Sequence, residues 1–257
     1  MPGSRYGSAM DLGIAGRRAA VAAASAGLGL GAARALAAEG ASVAICGRDR
    51  ERLDAAVAGL GQGAVAIAAD LSDPARAAAF VEEAGERLGG PVDILVANAG
   101  GPPPGTFATT DLDGYRAALE LNCLSTIAMC QAAVPAMRER GWGRVVAITS
   151  LGARQPIGHL IASSTARAAV TGFLKVLATE VAPDGVTVNS AQPGTHHTAR
   201  VAALSGSLDE LASAIPAGRL GDPDDFGAVV AFLCSEQAGF VTGVGLHVDG
   251  GAHSGLQ

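Results

Sequence analysis

The residues with the plainest chemical meaning are Ser25-Ala26-Gly27-Leu28-Gly29-Leu30-Gly31, which follow an apolar run and open an alanine-rich helical stretch. Glycines at such a turn let the main chain approach a pyrophosphate, and the free N–H groups and dipole of the helix behind it attract the anion. A bare tight turn in an alanine-rich chain has the same sequence, so a surrounding sheet is needed before a nucleotide is implied. Other reactive groups are sparse. Cys46, Cys123, Cys130 and Cys234 form no C-x-x-C pair and no zinc-like spacing with the five histidines. They read as buried apolar thiols of a reducing compartment, and no metal is predicted.

Short apolar runs alternate with helical patterns along the chain. Strands are predicted at Ala19–Ala24, Ser42–Cys46, Ala64–Ala69, Ile94–Asn98, Val145–Thr149, Val186–Ser190 and Gly245–Val248. None shows period-2 polarity, as expected of strands covered on both faces. Helices are predicted at Gly27–Glu39, Arg50–Leu60, Pro74–Leu88, Leu112–Arg140, Ser163–Val181 and Pro223–Ser235. This alternation implies right-handed βαβ units and one doubly wound parallel sheet of about seven strands in a single α/β domain, residues 11–257, behind a loose leader, residues 1–10. In such a sheet the glycine-rich turn lies where a nucleotide belongs. The irregular stretch from about 195 to 221 follows a strand's carboxyl end and reads as a substrate lid.

Composition narrows the partners. The 257 residues carry a formal net charge of −6, no Lys/Arg stripe and 4% aromatics, so neither nucleic acid nor an anionic membrane is expected. Arg17-Arg18 and the apolar stretch behind them imitate an export signal. However, Ala19–Ala33 is too short and too rich in Gly and Ala to span a bilayer, and it runs on into a charged helix. A cytoplasmic protein is expected.

From about Leu12 to Ala252 the sequence resembles the short-chain dehydrogenase/reductase family, in particular its 3-oxoacyl-[acyl carrier protein] reductase-like branch. The resemblance rests on ordered motifs: the glycine-rich turn, Asp70-Leu71, Asn98-Ala99-Gly100, Asn122, Ser150, Pro193-Gly194 and Val248-Asp249-Gly250-Gly251. It implies a Rossmann-type fold and cofactor roles for named residues. Gly27, Leu28 and Gly29 would line the pyrophosphate turn with Ser25 nearby, and Asp70 and Leu71 would flank the adenine. Asn98 and Gly100 would stand behind the cofactor, and Pro193, Gly194 and Thr198 would border the nicotinamide amide. NAD users of the family place a carboxylate where Gly47 stands. Here Arg48 follows, which can fork onto a 2′-phosphate, so NADP(H) is expected over NAD(H).

The catalytic pattern departs from the family. Thirteen residues after Ser150 the family's tyrosine is Ser163, and four further on its lysine is Arg167. An alkyl hydroxyl is a far weaker acid than a phenol, and Arg does not pass protons on as Lys can. Ser150, Asn122, Ser163 and Arg167 are therefore the candidate catalytic residues, with His159, His196 and His197 as alternative proton donors; His247 and His253 read as structural or exposed. The family's first turn glycine is Ala23 and the preceding threonine is Ala22, tolerable only if φ at Ala23 stays negative. The resemblance implies an oxidoreductase moving hydride between NADP(H) and a carbonyl or hydroxyl carbon of a small molecule. The substitutions leave open a non-redox protein on the same fold, either a lyase- or aldol-type enzyme or a ligand-binding module. The family's habit, together with the stripe Leu119, Cys123, Thr126, Cys130, Val134 and Met137, implies a homo-oligomer, tetramer or dimer.

Overall fold

The computed structural model describes residues 11–61, 63–204 and 207–256; the whole of the leader, including Tyr6, lies outside them. Seven strands form one parallel sheet: β1 (Arg18–Val21), β2 (Ser42–Gly47), β3 (Val65–Ala68), β4 (Ile94–Ala97), β5 (Gly143–Ile148), β6 (Val186–Pro193) and β7 (Gly245–Val248). Their order is β3-β2-β1-β4-β5-β6-β7, so the winding reverses between β1 and β4. In open α/β sheets that reversal leaves a crevice beyond the strands' carboxyl ends.

Alternate residues of the strands enter two cores. On one face Ala20, Ala44, Leu95, Val145 and Val188 pack beneath α3 (Pro74–Arg87), α5 (Ser125–Glu139) and α6 (Ile161–Val181). On the other, Val21, Ile45, Val96 and Val146 lie beneath α1 (Gly27–Ala38), α2 (Arg50–Ala58) and α9 (Pro223–Leu233). Covering both faces explains the unbroken apolar strands. The helices α1 and α9 cross backbone to backbone. A Cβ on Gly31 would strike the Pro223 carbonyl, and one on Gly227 would strike that of Gly31. The last glycine of the turn thus serves helix packing, not a ligand.

The amino-terminal edge of the sheet is closed by charge. Asp93, just before β4, accepts bonds from Arg18 N at 2.9 Å and Nε at 3.0 Å, and from Arg140 Nη2 at 3.1 Å. Burial alone would favour its neutral form, but the bonds and charges of the two arginines hold its pKa below the ordinary carboxylate value. Arg144 is buried there too, bonded to the carbonyls of Ser235 and Gly143.

Three expectations need correction. The helix predicted over Leu112–Arg140 is α4 (Leu112–Leu119) and α5 joined by one turn of π-helix, Glu120–Leu124. Its apolar stripe is largely covered by the chain itself, because Cys123, Thr126, Cys130, Val134 and Met137 are all buried, and only a groove beside Cys130 and Val134 opens to the surface. Length and composition would let Leu112–Glu139 cross a membrane, yet half of its most apolar window is packed inside the fold. Finally, the irregular lid contains two short helices, α7 (Ala199–Leu204) and α8 (Leu208–Ser213), with residues 205 and 206 outside the described chain.

Candidate active site

A cleft of about 230 Å³ opens beyond the carboxyl ends of the central strands, lined by Leu28, Asn98, Thr149, Ser150, Ser163, Arg167, Pro193, Gly194, His196, Thr198 and Arg200 among others. Residues from five separate motifs therefore meet in one place.

On its nucleotide side, Ala22 N donates to Val96 O of β4 and Ala24 N donates to Cys46 O of β2. The chain must swing between two strands within three residues, and Ala23 takes φ +47°, the one non-glycine residue in the left-handed region among the described residues. The expectation of a negative φ fails because these flanking bonds fix the turn whatever the side chain. Asn98 Nδ2 donates to Ala23 O at 3.2 Å, and a Cβ on Gly29 would come within 2.8 Å of both atoms. Gly29 is therefore the close-approach glycine. Gly27, at φ +60°, faces the Thr198 methyl from the lid. The entry to α1 has no side-chain cap, whereas Asp49, Asp73, Asp111 and Asp222 cap α2, α3, α4 and α9. Uncapped N–H groups beside a cradle that a Cβ would fill fit a phosphate ligand.

At the end of β2, a Cβ on Gly47 would meet Ser25 Oγ at 3.1 Å and Leu53 Cδ2 at 3.5 Å, which leaves little room for a carboxylate. Arg50 pairs with Asp54, and Arg52 pairs with Asp49. Arg48 is exposed and makes no hydrogen bond or ion pair to any described residue. Asp70 accepts from Ser72 N and Oγ, which lowers its pKa. Leu71 turns into the core, so only its main chain is free to face a ligand.

The other side is built on β5 and α6. Ser150 Oγ accepts from Gly152 N at 2.9 Å, which fixes the turn after β5. Asn122, fully buried on the π-turn, donates from Nδ2 to Gly100 O at 2.8 Å and leaves Oδ1 without a partner. Such a wide turn re-aims one side chain within a helix, and here it brings Asn122 to the exit of β4. The Ser163 hydroxyl makes no hydrogen bond to any described residue. Arg167 donates from Nη1 to Ile148 O at 2.8 Å, while its Nε and the neighbouring Thr149 Oγ1 are buried without partners. Burial, then the charge of Arg200, brings the Arg167 guanidinium down to about 10.

Of the histidines, His196 reaches the cleft. Its Nδ1 lies 3.2 Å from Gly194 O and its ring stacks edge-on against Phe226. Burial lowers its pKa, so it is neutral at pH 7 and a poor proton donor. His159 and His197 are exposed. The His247 side chain is buried, its ring 4.2 Å from that of His253. Sequence reasoning missed Arg200 and Thr149. Arg200 reaches across from α7 to donate to Pro102 O at 3.0 Å, a contact between residues 98 apart that no local pattern signals.

Residues 22–253 match the family model described as enoyl-(acyl carrier protein) reductase. The chain is 40% identical over 183 residues to nodulation protein G of Azospirillum brasilense, covering 71% of this chain and 74% of that protein. It is 36% identical over 167 residues to an acetoacetyl-CoA reductase of Cupriavidus necator, covering 65% and 68%. Among solved structures, an L-sorbose reductase of Gluconobacter frateurii complexed with NADPH and L-sorbose superposes with a TM-score of 0.89 at 31% identity, over 96% of this chain and all of that one. The doubly wound sheet, the cleft at its switch point and these matches agree: the chain belongs to the short-chain dehydrogenase/reductase family.

Proposed function

We propose that the protein is an oxidoreductase that uses NADP(H) to interconvert a carbonyl and a hydroxyl group on a small molecule. The observation that carries the cofactor choice is the pairing around β2: Arg48 alone of three neighbouring arginines makes no ion pair, feeling only the charge of Asp70, and a side chain at Gly47 would crowd Ser25 where an NAD site would place its carboxylate. The relative crystallised with NADPH supports the same reading. Gly27, Leu28 and Gly29 would hold the pyrophosphate with Ser25 beside them, Arg48 the 2′-phosphate, and Asp70 and Leu71 the adenine end. Asn98, Gly100, Pro193, Gly194 and Thr198 would frame the nicotinamide. When bound, NADPH supplies the hydride. Ser150 and Ser163 orient the substrate oxygen by hydrogen bonds, Asn122 ties the α4–α5 turn to the β4 exit, and Arg167 lends positive charge. With no phenol among the described residues of the cleft and His196 neutral, the proton comes from solvent.

Replacement of the tyrosine and lysine is the observation that favours a second reading, a non-redox protein on this scaffold. Titration with NADPH, NADP and NAD, followed by thermal unfolding, separates the two. Saturating NADPH at about a hundred times its Kd should raise Tm by about 5–10 °C, with NAD giving far less. No shift with any nucleotide would overturn the redox reading.

We also infer a cytoplasmic homo-oligomer. The four cysteines are free thiols, as suits a reducing compartment. A groove of about 460 Å³ between α5 and α6, lined by Val134, Pro135, Phe173 and Leu177, adjoins the exposed Val176 and offers an apolar face to a second copy. Light scattering that gave a monomer mass at micromolar protein would sink the oligomer.

A further inference from the structure

We propose that the substrate half of the cleft is an anion pocket, and that the enzyme's substrate is a small oxo acid held through its carboxylate by Arg167 and Arg200. The inference deepens the redox reading above and rests on it.

Arg167 is only 7% exposed, yet one main-chain carbonyl is its sole side-chain hydrogen-bond partner among the described residues. A buried guanidinium carries five donors and a full charge, and burying it unpaired is strongly unfavourable unless an anion completes it. None of the residues lining the cleft is acidic. A second guanidinium, Arg200, enters from α7 and is held by Pro102 O; its charge acts on Arg167. Two cations therefore converge on one cavity with no counter-charge among the described residues that line it.

The lining between them is suited to an oxo acid. Ser150, Ser163 and Thr149, whose Oγ1 is unpartnered, line the same cleft as Arg167, and the short Ser163 side chain leaves room where a bulkier residue would fill the cleft. A planar guanidinium matches a carboxylate in two parallel bonds, which would hold the adjoining carbonyl in one orientation. The cofactor's own phosphates are a less apt counter-charge. The uncapped first turn of α1 serves the pyrophosphate, and Arg167 belongs to α6, behind the end of β5.

The test compares acetoacetate and 2-oxobutanoate with their methyl esters in NADPH oxidation, in wild type, Arg167→Met and Arg167→Lys. The free acids should have KM values at least about tenfold below those of the esters. Arg167→Met should abolish that preference, Arg167→Lys should retain most of it, and NADPH affinity measured by fluorescence should move less than about threefold in either. Equal use of acid and ester by wild type would overturn the proposal. So would an Arg167→Met variant that loses NADPH affinity as much as acid preference, since Arg167 would then serve the nucleotide. If wild type binds NADPH but turns over neither compound, or binds no nucleotide at all, the redox reading fails separately. Calorimetry with malonate then decides the anion pocket on its own: binding lost in Arg167→Met and kept in Arg167→Lys supports it, and no binding to wild type overturns it.

Discussion

At the amino-terminal edge of the sheet, Arg18 and Arg140 share the carboxylate of Asp93, and Arg144 is enclosed by carbonyl oxygens with Glu236 3.8 Å away. At the carboxyl-terminal edge, Arg167 is buried comparably, with one carbonyl and no carboxylate partner among the described residues. The partnerless Asn122 Oδ1 and Thr149 Oγ1 lie at that same edge. The contrast is one of charge rather than of every polar group, since Thr187 Oγ1, in register with Arg144 at the amino-terminal edge, is also buried without a partner. The buried charges of that edge are compensated by the chain, and that of Arg167 is not, among the described residues. The contrast separates structural from functional charge without reference to motif.

The sharpest way to break this comparison is by deletion at each end. Asp93→Ala should cost about 3 kcal/mol in urea unfolding, because it strands two arginines. Arg167→Met should stay within about 1 kcal/mol of wild type or stabilise, because it removes a charge the fold leaves uncompensated. Equal losses would abolish the distinction. The Asp93 contribution also has a pH signature. Its folded pKa is depressed, so its stabilisation is complete above the ordinary carboxylate range and is lost as acid protonates it below that range.

Next in size is the chemistry of the open end. Ser163→Tyr with Arg167→Lys should raise reduction of small activated ketones at least about tenfold over a slow wild type, with general acid catalysis setting a ceiling of about 10²–10⁴. A double variant that binds NADPH and stays inert would mean that the pocket no longer presents a carbonyl to the cofactor. Arg48→Asp should move the NADPH-to-NADH preference by about tenfold or more, read from the two Kd values, by removing the phosphate fork and adding a repelling charge. Unchanged affinities would make Arg48 an ordinary surface residue. The smallest effect is expected at the turn. Ala23→Gly should stabilise by about 0.5–1 kcal/mol in urea unfolding, the relief of a left-handed alanine less the extra entropy of unfolded glycine. A loss of stability would show that the Ala23 methyl packs more usefully than the strain costs.

How much of this was legible in the sequence follows from range. The strands, the main helices and the glycine-rich turn are written in neighbouring residues, and all seven strands lie at or within a few residues of where apolar runs place them. Arg48 is legible for the same reason. The π-turn is not, because the same apolar spacing fits an uninterrupted helix and the extra residue shows only when Asn122 reaches Gly100 O. The sign of φ at Ala23 is set by bonds to β4 and β2, partners 74 and 22 residues away, and so is invisible to any rule about alanine. The Asp93 seal and the reach of Arg200 are likewise long-range pairings. Ser163 and Arg167, reached by counting from Ser150, line the cleft, but their surroundings, and hence the lack of a counter-charge among the described residues, belong to the folded chain alone.

The glycine-to-glycine crossing of α1 and α9 bears on the order in which the molecule is made. On the ribosome, α1 emerges early and α9 among the last elements, so the helix whose first turn forms the phosphate cradle waits for most of the chain before its packing partner exists. The contact is among the most distant in sequence that the fold contains, and such closures come late and slowly. A nascent chain paused before α9 would expose the apolar flank of α1, including Ala33 and Leu36, to chaperones or to other nascent copies. Competence to hold a nucleotide should therefore arise only near the end of synthesis, in one step with closure of the domain.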